Sequence, residues 1–444
     1  MNNELSLIYE NLNNKYPTEK EYLSSVYEFL TSISEIYNDF PDLGDLGIIE
    51  RLIEPDRIIT FKVPWINDQN KVIVNTGYRV QFSNLLGPYK GGIRFDKSVN
   101  LSILKFLGFE QTLKNSLTTL LLGGAKGGSD FDPANKSDLE IMRFCQSFMN
   151  ELYRHIGAIT DVPAGDLGVG AKEVGYLYGH YKKLANVANG TFTGKGFDYG
   201  GSLIRPEATG YGVCYIAEFA LNKYLDKSLN GQKVLISGSG NVGIHAAFKA
   251  KELGAIIVGM SSITGIVEDQ SGIDVELISK IQTNKLSFKH YLETYPDAKY
   301  YSNPRDLWKI KADITIPCAK ENEVSLTDAK FMIENGVIAL IEGANKPSEV
   351  GVSKLFEENK LIFIPSKAAN AGGVSVSLLE MNQNASHLQW DKNLVDQKLK
   401  DIMENIFNNI YNTALQNNNI YNLTKAANIA SFKRLYSAMK QLGV

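Results

Sequence analysis

The sequence predicts an α/β protein of two domains, the second built on a doubly wound parallel sheet. Three observations carry this. From about residue 205 short apolar strands alternate with helical segments, the pattern of βαβ units. A complete GxGxxG lies between the first of those strands and a helix. The chain has 444 residues, which at about 150 per domain makes two or three domains.

In chain order, the first 50 residues are polar, with apolar positions at helical spacing, and read as amphipathic helices suited to packing on a partner subunit. Segments 58–63 and 71–83 read as strands. In the second, Tyr78, Val80 and Phe82 alternate with Arg79 and Gln81, which predicts one buried face and one open face. A Gly-rich loop, GPYKGGIRF at 87–95, leads to a helix over about 99–118. A second Gly-rich loop spans 121–133. Ser137 and Glu140 form a capping box, and Ile141, Phe144, Cys145, Phe148 and Leu152 trace one helix face behind it. Gly157 is the expected stop. A third Gly-rich loop, ITDVPAGDLGVG, covers 159–170.

After RPEATGYG and a helix comes the βαβ unit. KVLIS (233–237) is the strand, GSGNVG (238–243) the turn, IHAAFKAKEL the helix ended by Gly254, and AIIVGM (255–260) the next strand. DITI, VIALIE and LIFI are further strands, ending in PCAKEN, GANKP and PSKAANAGG. Amphipathic helices fill 393–440, and the last is expected to return to the first domain.

Composition narrows the function. Apolar residues are 44% and charged residues 21%, an ordinary globular balance. Lys plus Arg is 46 and Asp plus Glu 49, a net charge of −3, so no basic excess points to nucleic acid. Cys145, Cys214 and Cys318 are scattered and odd in number, which argues against a disulfide framework or a zinc site and for a reducing, cytoplasmic location. The start has no basic n-region, and no apolar run reaches the ~18 residues of a membrane span. The five histidines show no metal-ligand spacing, so no metal is expected.

In the GxGxxG, Gly238 permits the tight turn, Gly240 lets backbone approach a pyrophosphate, and Gly243 allows close helix–strand packing. The helix N-terminus offers N–H groups to the phosphates. This is a Rossmann-like arrangement. At the second strand's end, where NAD-binding chains usually carry a carboxylate, stand Met260, Ser261, Ser262 and Ile263. Nothing there repels a 2′-phosphate, and two hydroxyls are available to bond one.

Lys90, Lys114 and Lys126 stand in or beside the glycine-rich segments, and Gln111 and Lys114 share a helix face. One such lysine is usually a solvated charge. Three converging would suit a substrate with more than one carboxylate. Asp166, in DVPAGDLG, is either a turn residue or a proton carrier beside a lysine.

Together the segments GPYKGGIRF, SVNLSILKFLGFEQTLKNSL, GGAKGGSDFDP, DVPAGDLGVG, GGSLIRPEATGYG, GSGNVG, EGANKP and PSKAANAGGVSVS resemble the hexameric small-subunit glutamate dehydrogenases of the Glu/Leu/Phe/Val dehydrogenase family, over about residues 50–435. The resemblance implies a mixed-sheet substrate and oligomerisation domain, 1–203, to which a C-terminal helix of about 422–444 returns. It implies a Rossmann-like dinucleotide domain over 204–421. The implied reaction is reversible oxidative deamination of L-glutamate to 2-oxoglutarate and ammonium with NAD(P), in a homohexamer that is cytoplasmic and needs neither nucleic acid nor membrane.

By motif position the resemblance implies that Lys126 is the catalytic lysine and Asp166 the proton-transfer carboxylate. Lys90 with Ser377 would hold the side-chain carboxylate, and Gln111 with Lys114 the α-carboxylate. Gly165 and Val374 would line the substrate pocket. Thr209 and Asn370 would orient the nicotinamide. Gly238, Ser239, Gly240, Asn241 and Val242 would face the pyrophosphate, with Ala319 and Asn345 in the same crevice.

Three features bear on coenzyme. PCAKEN places Lys320 and Glu321 where the family usually has PCATQN, Ser239 is like NADP-using relatives, and Ala134 stands where some NADP users have lysine. NADP(H) is favoured, with NAD(H) or dual use open. The alternatives are a dehydrogenase for an apolar amino acid, against which Lys90 and Ser377 both speak, and a non-catalytic glutamate- or dinucleotide-binding homologue or structural ring protein.

Overall fold

Two β-sheets organise the chain in the computed structural model, which describes residues 1–443. Residues 1–205, 376–395 and 428–444 group as one compact unit, and 206–375 with 396–427 as the other. Residues 376–395, inside the span expected for the dinucleotide domain, thus group with the first unit.

The first unit carries a five-stranded mixed sheet in the order β1-β2-β4-β3-β5. Its strands are β1 (Arg57–Ile66), β2 (Val72–Ser83), β3 (Tyr89–Phe95), β4 (Gly124–Ser129) and β5 (Asp161–Gly165). β1, β2 and β4 pair antiparallel, whereas β3 runs parallel to both β4 and β5.

β3, β4 and β5 are three of the segments expected to be Gly-rich loops. Glycine argues against a strand on propensity, but here closeness of packing decides. A Cβ on Gly91 would lie 1.6 Å from the Ala125 carbonyl oxygen, and one on Gly124 would lie 2.0 Å from Thr112 Oγ1 on the helix Leu101–Leu117. No larger residue fits where that helix and the neighbouring strands meet.

The open face expected on β2 is also absent. Arg79 and Gln81 are buried, because Asp161 at the start of β5 accepts from both Arg79 Nε and Gln81 Nε2 at 2.9 Å. A buried cation is tolerable when a carboxylate meets it with good geometry.

Two apolar clusters cover this sheet. One holds the helices Asn3–Lys15, Lys20–Ile33 and Ile48–Ile53 against Leu104, Phe109 and Leu113, together with Ile429, Phe432 and Leu435 of the last helix, Leu423–Leu442. The apolar faces of the N-terminal helices, expected to meet a partner subunit, are thus buried on this chain's own core. The other cluster centres on the helix Asp138–Leu152, whose predicted face is buried and whose Ser137–Glu140 capping box is present. Phe131 and Phe144 stack there at 3.8 Å. That helix stops at Leu152 and passes into a single 3-10 turn, so Gly157 is not its cap.

The second unit carries a seven-stranded sheet in the order β12-β11-β10-β6-β7-β8-β9. β6 (Lys233–Ser237), β7 (Ile256–Ser262), β10 (Ile314–Pro317), β11 (Ala339–Ile341) and β12 (Ile362–Ile364) are parallel. β8 (Gly265–Glu268) and β9 (Lys299–Tyr301) extend the sheet antiparallel. The sequence showed neither of these two. The chain steps from β6 to β7 on one side and resumes with β10 on the other. The strand order therefore reverses at β6, which creates a crevice at the carboxyl ends of β6 and β10.

Candidate active site

In the first unit, pleat alternation places Lys90, Gly92 and Arg94 of β3 on one face. Lys126 rises from β4 beside them, and Asp166 follows β5. Asp166 backs against β3, where a Cβ on Gly92 would sit 2.8 Å from Asp166 Cβ. Each of its oxygens meets a cation. Lys126 Nζ is 3.1 Å from Oδ1, and Arg94 Nε donates to Oδ2 at 2.7 Å.

Burial alone would raise the Asp166 carboxyl, but Lys126 and Arg94 outweigh it and hold it down to about 2. Burial lowers the Lys126 ammonium below the usual lysine range. Asp166 opposes that shift, while Arg94 and Arg79 add to it. The pair is therefore an ionised carboxylate beside a lysine that gives up its proton more easily than a free one.

Lys90 is only 1% exposed. Burial lowers its ammonium strongly, Arg205 and Arg79 push it the same way, and Glu380 and Asp161 push back. Arg205 Nε donates to Ser377 Oγ at 3.1 Å. Lys90 and Ser377, far apart in sequence, thus both face Arg205, one through charge and one through a hydrogen bond. This cluster, with Lys90, Arg205 and Arg79 against Glu380 and Asp161, keeps an excess of positive charge that suits an anion. Gln111 and Lys114 are half-buried on one face of the helix Leu101–Leu117, and Gln111 Nε2 donates to Asn115 Oδ1 at 2.7 Å. Gly165 ends β5 with no room for a Cβ, which would be 2.4 Å from the Val169 carbonyl oxygen. Val374 is half-buried and groups with the second unit.

The remaining predicted residues all fall in the second unit. Gly238 adopts φ +75°, and a Cβ on it would be 2.8 Å from Ala319 Cα, so β6 and β10 end edge to edge. A Cβ on Gly243 would be 1.9 Å from the Gly238 carbonyl oxygen, whereas one on Gly240 would stand in open space. No side chain caps the helix Asn241–Glu252. That open cradle at an uncapped helix N-terminus fits a dinucleotide pyrophosphate.

Ser239 is buried and donates to Gln282 Oε1 at 2.8 Å, Asn241 Nδ2 donates to the Pro206 carbonyl at 2.6 Å, and Val242 is half-buried. Thr209 is the second residue of the helix Ala208–Leu225. Asn370 Nδ2 donates to Asn345 Oδ1 at 2.9 Å, joining the loops after β11 and β12. Ser261 and Ser262 separate in role. Ser261 Oγ accepts from the Gly238 N–H at 3.2 Å and braces the turn, while Ser262 Oγ bonds Thr264 Oγ1 at 2.7 Å.

Several residues escaped the sequence reading. Arg94 and Arg205 are two. Glu380 is a third: fully buried, it accepts from Lys195 Nζ at 2.7 Å and from the Gly194 N–H at 2.9 Å. Glu323 receives the Ala319 N–H at 2.9 Å and so shapes the PCAKEN loop that carries Lys320 and Glu321. Glu342, pushed up to about 7 by burial, accepts the Ser366 N–H at 2.7 Å. Among the described residues no three His, Cys, Asp or Glu side chains gather as metal ligands, and no helix is long and apolar enough to cross a membrane.

A Rossmann-like sheet with an open phosphate cradle, in a chain that also holds the Lys126–Asp166 ion pair, places the protein among the dinucleotide-dependent oxidoreductases. Within that class it belongs to the Glu/Leu/Phe/Val dehydrogenase family, whose model matches residues 200–443 and whose dimerisation-domain model matches residues 55–183. An NAD-specific glutamate dehydrogenase of Bacteroides fragilis and an NADP-specific one of Helicobacter pylori are each 50% identical to it, over 98% of this chain and 99% of theirs. The crystal structure of Plasmodium falciparum glutamate dehydrogenase is 46% identical and superimposes with a TM-score of 0.95, over 99% of this chain and 95% of that one.

Proposed function

We propose that the chain is an NAD(P)-dependent glutamate dehydrogenase, converting L-glutamate reversibly to 2-oxoglutarate and ammonium. The observation that carries this reading is the pairing of Lys126 with Asp166 in a unit that also buries a separate cationic recess, Lys90 with Arg205. A substrate with two carboxylates and an amine needs both.

When bound, the dinucleotide supplies the hydride acceptor or donor, held by the Gly238–Val242 turn, with Ala319 and Asn345 lining the crevice. Thr209 and Asn370 orient the nicotinamide. Lys90 and Ser377 hold the side-chain carboxylate, and Gln111 and Lys114 the α-carboxylate. Gly165 lines the substrate pocket. Neutral Lys126 takes a proton from the water that attacks the iminium carbon, and the resulting ammonium stabilises the carbinolamine. Asp166, anionic at neutral pH, receives a proton from Lys126 Nζ in passing and returns it as ammonia leaves.

NADP(H) is the favoured coenzyme, with NAD(H) or dual use open. The absence of a carboxylate at the end of β7 supports it, and Ser262 is the hydroxyl offered to a 2′-phosphate. The enzyme is a cytoplasmic homohexamer. The dimerisation-domain match over 55–183 supports an oligomer, and the scattered cysteines support a reducing compartment.

The test is the initial rate of 2-oxoglutarate amination with ammonium, comparing NADPH with NADH, against apolar 2-oxo acids as controls. A rate confined to 2-oxoglutarate is expected. No rate with either coenzyme would overturn the proposal.

A further inference from the structure

We propose that Arg94 is a positioning residue for the reaction: it anchors Asp166 by Oδ2 and thereby leaves Oδ1 as the one oxygen that faces Lys126. The inference rests on the reading of Lys126 and Asp166 as the proton-transfer pair.

The geometry is a carboxylate strung between two strands. Arg94 Nε on β3 reaches Oδ2 at 2.7 Å, and Lys126 Nζ on β4 reaches Oδ1 at 3.1 Å. The backbone is fixed as well. Phe95 N–H donates to the Leu167 carbonyl at 2.9 Å, Val169 N–H donates to the Asp166 carbonyl at 2.9 Å, and Asp166 packs directly on Gly92, where a Cβ would sit 2.8 Å from Asp166 Cβ. With Oδ2 tied, rotation of the carboxylate that would exchange the two oxygens breaks a charge-assisted hydrogen bond, the stronger kind. Lys126 therefore keeps one partner oxygen at one distance.

Charge acts in the same direction. Two cations share one anion, so neither lysine nor arginine is fully compensated. Arginine cannot release its proton at working pH, whereas lysine can. The proton leaves from Lys126. The charged groups facing the pair are Arg94 from β3 and Arg79 from β2, and Arg79 is itself matched to Asp161.

Two variants separate positioning from mere packing. Arg94→Gln keeps a donor of similar reach and removes the charge, and Arg94→Lys keeps the charge and loses the Nε geometry. Two readouts are taken on the intact enzyme. One is the pH profile of kcat/KM for glutamate. The other is the pH dependence of Lys126 acetylation by trace acetic anhydride, read by peptide mass spectrometry, which needs no turnover.

In Arg94→Gln, Lys126 loses a repelling neighbour. The acid limb and the labelling midpoint are both expected to move alkaline by at least about one pH unit, with kcat down about 10- to 100-fold and the glutamate KM within about twofold. Arg94→Lys should return both pH readouts towards wild type. An unmoved labelling midpoint in Arg94→Gln overturns the proposal, even if activity falls. Should Arg94→Gln fail to fold, Arg94→Lys decides: lowered kcat at unchanged KM supports the proposal, and wild-type kcat overturns it. A wild-type enzyme without turnover would sink the functional reading instead, and the labelling midpoints would still judge Arg94.

Discussion

Replacing Lys90 by Met tests the substrate reading where the structure is most specific. Lys90 is buried on β3, and burial, Arg205 and Arg79 all weaken its hold on a proton. Such a site gains from an incoming anion. A charge-assisted hydrogen bond contributes about 1.5–3 kcal/mol, and each ~1.4 kcal/mol is tenfold in affinity. Lys90→Met should therefore raise the glutamate KM by about 10- to 150-fold. The KM for norleucine, which has no side-chain carboxylate, should move little, so discrimination between the two falls by the same factor.

The pH dependence adds a second readout. Glutamate binding by the wild type should weaken as pH rises and Lys90 loses its proton, and that slope should vanish in the variant. Stability should not suffer. Folded Lys90 binds its proton more weakly than the unfolded chain does, so it lowers stability below the unfolded lysine pKa, and that cost disappears as pH rises. Met removes the cost. The assay is initial-rate deamination of both amino acids across pH, with thermal melts of both proteins. An unchanged glutamate KM would refute the assignment of Lys90 to the side-chain carboxylate.

Three further variants test the buried Lys195–Glu380 pair and the dinucleotide turn. Glu380→Ala should lower stability by about 3–5 kcal/mol, because Lys195 stays buried with no counter-ion; an unchanged urea midpoint would contradict this. Gly240→Ala should leave stability within about 0.5 kcal/mol yet weaken dinucleotide binding at least about tenfold. Gly243→Ala should destabilise by about 1–3 kcal/mol or more, because its Cβ would strike the Gly238 carbonyl. Calorimetry and thermal melts of the two variants separate cradle from packing, and equal behaviour in both would dismiss the distinction.

The legible parts of the fold were those with strong local chemistry. The Ser137–Glu140 box closes on its own backbone, and the KVLIS strand and the GSGNVG turn show as a short apolar run followed by spaced glycines, so a short window suffices. The illegible parts owe their state to distant contacts. β3 reads as a loop because Gly91 and Gly92 have poor strand propensity, and only the closeness of Ala125 and Gly165 explains them. That error had a cost at the site: read as a strand, YKGGIRF puts Lys90 and Arg94 on one face at once. Glu380 lies 185 residues from its partner Lys195, and no spacing rule reaches so far. Arg79 and Gln81 look like a solvent face until Asp161, 80 residues beyond Gln81, is laid over them.

The most direct measurement is the turnover of Lys126→Ala. Asp166 keeps Arg94 in that variant, so the fold should hold, with circular dichroism and melting temperature as in the wild type. Its kcat is expected to fall by about 10³-fold or more, with the glutamate KM within a few fold because Lys90, Ser377, Gln111 and Lys114 are intact. A folded Lys126→Ala enzyme with near-normal kcat would contradict the central claim that Lys126 and Asp166 carry the proton transfers.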